Sequence, residues 1–148
     1  MAFLYSLQTL LRLRQSLERQ EEQRLFALAA LVARLRAEIE QLKQEDIEAR
    51  RAQIGEMADV ILGASLHFAS VRGTAMDNAR RKLELQLEDA ERKHLAQLRA
   101  YQAARQKREI LEGLRERQEA AYELEYARHE QQTADEAFLT RSHVASSE

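Results

Sequence analysis

Cysteine, proline and tryptophan are absent from the 148 residues, and glycine occurs only 4 times. Without cysteine there is no disulfide and no thiol chemistry, which fits a reducing compartment. Without proline, nothing in the chain forces a helix to break. Aromatic residues make up 5%, and β-branched residues are sparse too, so the faces of a sheet could not be filled. Long apolar runs are missing too, and no stretch approaches the roughly 18 residues that cross a bilayer. The opening MAFLYSLQTLLRLRQ lacks a basic start, and Ser6, Gln8, Thr9 and Arg12 interrupt its leucines, so it does not read as a signal peptide. A net charge of −2 gives no overall bias toward a polyanion. These absences together describe a soluble, reduced protein without a thick core or direct membrane insertion.

What remains is helix-forming. Ala, Leu, Glu, Gln, Arg and Lys dominate, and 32% of residues are charged, a mixture that loses little side-chain freedom in a helix. A heptad written from Leu4 puts Leu4, Leu11, Glu18, Leu25, Val32 and Ile39 at a. The d positions are then Leu7, Arg14, Glu21, Leu28, Leu35 and Leu42. Apart from Arg14, Glu18 and Glu21 these are all aliphatic, the 3.5-residue period that pairs two helices. The period predicts a first helix over about 4–58.

Three of the glycines, Gly55, Gly63 and Gly73, fall within 55–75, and glycine accepts the conformation that ends a helix. Apolar residues still recur there at Met57, Ile61, Ala64, Phe68 and Val71. A reversal is expected inside this interval, with a turn near Gly63 or a restart at the capping pair Thr74 and Asp77. A second helix follows over about 76–141, with a frayed tail at 142–148. Its stripe runs through Leu83, Leu87, Ala90, His94, Leu98 and Tyr101. It continues by way of Arg105 and Arg108 to Leu111, Leu114, Ala121, Leu124 and Phe138. Two helices of comparable length with one reversal give an all-α antiparallel coiled-coil hairpin, one domain over 1–148. With the turn near Gly63, Ile39 lies near Leu87, Val32 near His94 and Leu25 near Tyr101. Glu18 and Glu21 then fall beside Arg105 and Arg108, a polar layer that either locks the register or snorkels outward.

Catalytic chemistry has little to work with. Glu91 and His94 have the Glu-x-x-His spacing of helical di-iron sites, but those need a second copy and two further glutamates inside a four-helix interior. No nucleophile elbow and no phosphate-cradling glycine motif occurs, and a bare hairpin offers no enclosed pocket. The chain is therefore read as a non-enzyme without catalytic residues, metal or cofactor. Arg50-Arg51, Arg80-Arg81-Lys82 and Arg105 to Arg108 are basic clusters with acidic neighbours Glu48, Glu84 and Glu109, a solvated, ion-paired face and not a nucleic-acid contact.

The beginning of the chain is different. Phe3, Leu4, Tyr5, Leu7, Leu10, Leu11, Leu13 and Leu17 are apolar on more faces than one partner helix can cover, which marks a surface for docking into another protein. The pattern Phe3-x-x-x-Leu7-Gln8-Thr9-Leu10-Leu11-x-Leu13-Arg14 resembles the opening of the flagellar export protein FliJ family. Leu111-x-x-Leu114-x-x-Arg117-Gln118, followed by Glu125, Asp135-Glu136-Ala137-Phe138 and Arg141, is similar to that family's C-terminal pattern. The resemblance implies an antiparallel coiled-coil hairpin similar to the stalk of rotary ATPases, working in type III export at the base of the bacterial flagellum. It implies three partners: the hexameric export ATPase, the cytoplasmic domain of the export gate membrane protein, and export chaperones. It implies residence in the cytoplasm, peripherally at the membrane. The ATPase-binding tip would comprise Leu7, Leu10, Arg12, Leu13, Arg14, Leu17, Leu114, Arg115, Arg117 and Gln118. For the gate-facing end the resemblance implies aromatic residues late in the first helix, where this chain has Glu45, Glu48, Ala49 and Ala52. Leu66, Phe68 and Val71 are the substitutes there. An injectisome stalk and a generic coiled-coil scaffold are the alternatives.

Overall fold

The computed structural model describes residues 2–57 and 63–147. It is all-α, with helix α1 over Gln8–Met57 and helix α2 over Gly63–Ser146 packed against each other, and no strand among the described residues. The heptad dictates which face of α1 turns inward. Leu7, Leu11, Arg14, Glu18, Glu21, Leu25, Leu28, Val32, Leu35, Ile39 and Leu42 are all buried or half-buried, and the stripe continues through Asp46, Ala49 and Gln53. Such a 3–4 alternation keeps one line of side chains against one partner helix.

Two compact units make up the chain. The first combines residues 1–18 with 103–148, and the second is 19–102. In the first, Leu11 is the most enclosed side chain, at 0% exposure. The antiparallel sense is set there by Phe3 against Tyr122 and Glu18 against Arg108. In the second, Val32, Leu35 and Ala90 form the core, with Leu31, Leu83 and Leu87 packed on it. Arg36 donates to Glu91 across the same pair of helices at 2.8 Å. The half-buried face of α2 follows Ala69, Gly73, Met76, Arg80, Leu83, Leu87, Ala90, His94, Gln97, Tyr101, Ala104, Arg108, Leu111, Arg115, Glu119 and Tyr122. Beyond Tyr122 every described residue is exposed.

Several expectations are corrected. The helices are unequal, 50 and 84 residues. The first helix begins at Gln8 and not near Leu4, because Tyr5 turns into the seam and Leu4 is left outside. The second begins at Gly63 and not near Met76. Gly55 and Gly73 sit inside helices, and no described glycine has a positive φ. One glycine costs a helix only about 1 kcal/mol, which strong helix-forming neighbours offset. Thr74 is mid-helix, its hydroxyl donating to the Ser70 carbonyl at 3.0 Å, so no restart occurs there. The tail is helical through Ser146. The stripe passes Ala104 and not Arg105, while Ala121, Leu124 and Phe138 lie off it. The seam there keeps close to the 3–4 spacing while the apolar residues drift away from it. The side chain of Met57 and the whole of Ile61, both used to bracket the reversal, lie outside the described residues.

Leu35 is 4% exposed, so Leu35→Ala should lower unfolding free energy by about 2–3 kcal/mol, the low end of such substitutions because a seam relaxes easily. Urea denaturation followed by circular dichroism at 222 nm measures this. An ideal Cβ on Gly73 meets nothing within 4 Å. Gly73→Ala should therefore raise stability by about 0.4–1 kcal/mol in the same assay.

Candidate functional site

A long helix that has used one face for its seam leaves the others to solvent, and side chains there are free to bind. In the unit made of residues 1–18 and 103–148, Leu10, Leu13 and Leu17 are exposed, Leu13 at 53%. Arg12 beside them is exposed as well, and Leu7 and Arg14 are half-buried toward the seam. From α2, Leu114 and Arg115 are half-buried while Arg117 and Gln118 are exposed. Arg117 bends back, donating through Nε to the Gly113 carbonyl at 3.2 Å. All ten residues expected at the tip thus belong to one compact unit, with Leu10, Leu13 and Leu17 outward, Leu7 and Leu114 half-buried, and the interior supplied by Leu11.

Two features of this unit escaped the sequence reading. The first is an aromatic clasp. Residues 2–5 are not helical, and this short segment packs against α2. The Phe3 ring packs on Tyr122 at 5.7 Å between centroids, and Tyr122 stacks on Tyr126 at 6.4 Å. Tyr5 is buried and its hydroxyl donates to the Leu111 carbonyl at 3.0 Å. The hydrogen bond to Glu130 holds the Tyr126 phenol protonated, raising its pKa above the ordinary value. Sequence alone gave no sign that the helix begins after Tyr5.

The second is a projection. Residues 123–146 of α2 are exposed on every side, and 24 helical residues advance roughly 36 Å. Leu124, Phe138, Leu139 and Val144 are bare along it. Glu123, Glu125, Glu130, Asp135 and Glu136 outnumber Arg128 and Arg141. The loss of apolar residues from the seam phase after Tyr122 is its signal in the sequence.

The polar layer does form. Arg108 donates to both carboxylate oxygens of Glu18 and to Glu112 on its own helix. The hydrogen bond to Glu18 is the main reason its pKa lies above the usual arginine value. Glu21, expected beside the same arginines, instead accepts from Gln97, whose amide also reaches the Glu21 carbonyl oxygen at 3.1 Å. The other basic clusters are ion-paired along their own helices: Arg50 with Asp46 at 3.0 Å, Arg80 with Glu84 at 3.5 Å, and Arg105 with Glu109 at 2.9 Å.

In the unit 19–102, Leu66, Phe68 and Val71 are exposed, Phe68 at 71%. Leu66 and Phe68 line an open groove with Ala49, Ala52 and Gln53. Where the resemblance implied aromatic residues, alanines leave that groove unfilled. Glu91, half of the Glu-x-x-His pair, is engaged by Arg36. Among the described residues no cluster of three or more His, Asp or Glu has metal-binding geometry, and no helix is long and apolar enough to cross a membrane.

A family model described as Flagellar FliJ protein matches residues 3–147. No curated protein and no solved structure matches the chain.

The clasp is open to direct measurement. Tyr5→Phe removes the hydroxyl donor but leaves the ring, and should lower stability by about 0.5–1.5 kcal/mol. Denaturant midpoints of the two proteins at equal slope check it.

Proposed function

The chain belongs to the flagellar FliJ protein family and is a component of the flagellar export apparatus. From that premise we propose that it is a non-catalytic stalk for the hexameric export ATPase. The observation that carries the proposal is a surplus of apolar surface on the unit built from the chain's two ends. Leu10, Leu13 and Leu17 are exposed, and residues 123–146 of α2 face no partner helix among the described residues. Exposed apolar patches of this kind on a helix surface are what a protein socket would cover.

The docking end comprises Leu7, Leu10, Leu13, Leu17 and Leu114, with Arg12, Arg14, Arg115, Arg117 and Gln118 as its polar complement. A stalk meets several equivalent subunits of a ring, so a greasy surface with a few charges suits it better than one rigid lock. Its effect on the ATPase is to promote ring assembly and raise turnover. Leu66, Phe68 and Val71, beside the Ala49–Ala52 groove, are the residues assigned to the cytoplasmic domain of the export gate, and export chaperones are the third class of partner. The protein works in the cytoplasm, held peripherally at the cytoplasmic face of the membrane.

Mixing the purified protein with the cognate export ATPase tests the reading. Hexamer formation and hydrolysis should both increase, and Leu10→Asp with Leu13→Asp should abolish the increase with the 222 nm signal unchanged. Unaltered hydrolysis with the unmodified protein would overturn the proposal. Loss of helicity in the double variant would move those leucines from the docking surface to the seam.

A further inference from the structure

Glu18 and Arg108 meet at seam positions of opposite helices, with side chains only 14% and 20% exposed. Arg108 grips both oxygens of Glu18 and also bonds Glu112, so most of its donor fork is satisfied within one layer. Nearer the start of α1 the seam is made by Leu7 and Leu11, facing a helix that offers Leu111 and Leu114. Such leucine layers alone fix the alignment weakly, because apolar packing is non-directional. A sheltered charge pair does discriminate, while adding little net stability, since desolvation offsets the attraction.

We infer that the Glu18–Arg108–Glu112 layer is the register determinant of this unit: it selects the alignment of α1 on α2 that leaves residues 123–147 projecting. A slide of one heptad toward the C-terminus of α2 would bring Glu18 to Arg115 and shorten the projection by seven residues, roughly 10 Å. Arg108 would then keep only the carboxylates of its own helix. The opposite slide would lengthen the projection by the same amount and take Glu18 away from both guanidinium groups. The layer thus sets the reach of the end proposed to seat in the ATPase. Its use rests on that reading; its measurement does not.

The chain has no cysteine, so Ser16→Cys and Ala127→Cys, both at exposed positions of this unit, give two clean nitroxide sites on the full-length protein. Double electron–electron resonance should show one distance population when the layer is intact, and still one after Arg108→Lys, which keeps the charge. Glu18→Leu with Arg108→Leu should keep helicity and add a population displaced by about 10 Å. A single unshifted distance in the double-leucine variant overturns the inference. So does loss of helicity in that variant, which would make the layer a stabiliser and not a selector. No ATPase enters the measurement, so the stalk reading and the register inference can fail separately.

Discussion

Each helix here can bury only one stripe, and the rest of the structure follows from how the two stripes meet. Positions three and four apart turn inward from Leu11 to Gln53 on α1 and from Ala69 to Tyr122 on α2. The hydrophobic effect acts along that line and almost nowhere else, with the enclosed side chains of Leu11, Val32, Leu35, Ile39 and Ala90 as its anchors. A narrow seam spreads its stabilisation over many half-buried residues. It tolerates polar members such as Glu18, Gln97 and Arg108 provided they find each other or a backbone partner. It also leaves every apolar residue outside the stripe in water, which is why exposed leucines carry more meaning here than on a protein with a thick core.

The unit containing both ends of the chain shows how seam, clasp and projection depend on one another. Leu11 and the Glu18–Arg108 pair hold α1 on α2. Phe3 and Tyr5 then fasten the start of the chain to α2 by a ring contact and a hydrogen bond. Past Tyr122 the seam positions become Glu125 and His129, and α2 continues with no partner helix among the described residues. A lone helix in water owes its persistence to the propensity of its residues and to side-chain pairs along it. The exposed apolar residues on it contribute nothing to folding in isolation. Their presence supports the proposed docking role for this end. In the other unit, the Ala49–Ala52 stretch and Leu66 and Phe68 line an open groove whose walls also carry Asp46, Arg50, Glu56 and Arg72.

The sequence by itself determined the fold class, because helix propensity and a 3–4 period are local properties repeated over dozens of residues. It also placed Glu18 beside Arg108, since one alignment of two heptads brings opposite charges together at sheltered positions. The family likeness at Leu7–Arg14 and Leu111–Gln118 was legible for the same reason, as short-range patterns. Only the tertiary structure decided where pairing stops. Gly73 and Thr74 read as part of a reversal and as a helix restart, yet α2 runs through both, because strong helix-forming neighbours outweigh one weak position. Tyr5 read as helical, yet it leaves the helix to bury its ring and bond the Leu111 carbonyl, a partner more than a hundred residues away. Leu124 and Phe138 read as seam, yet they are bare, because no residues of α1 remain to face them. Propensity is written in each residue; burial depends on what arrives opposite it, and that is a property of the folded chain.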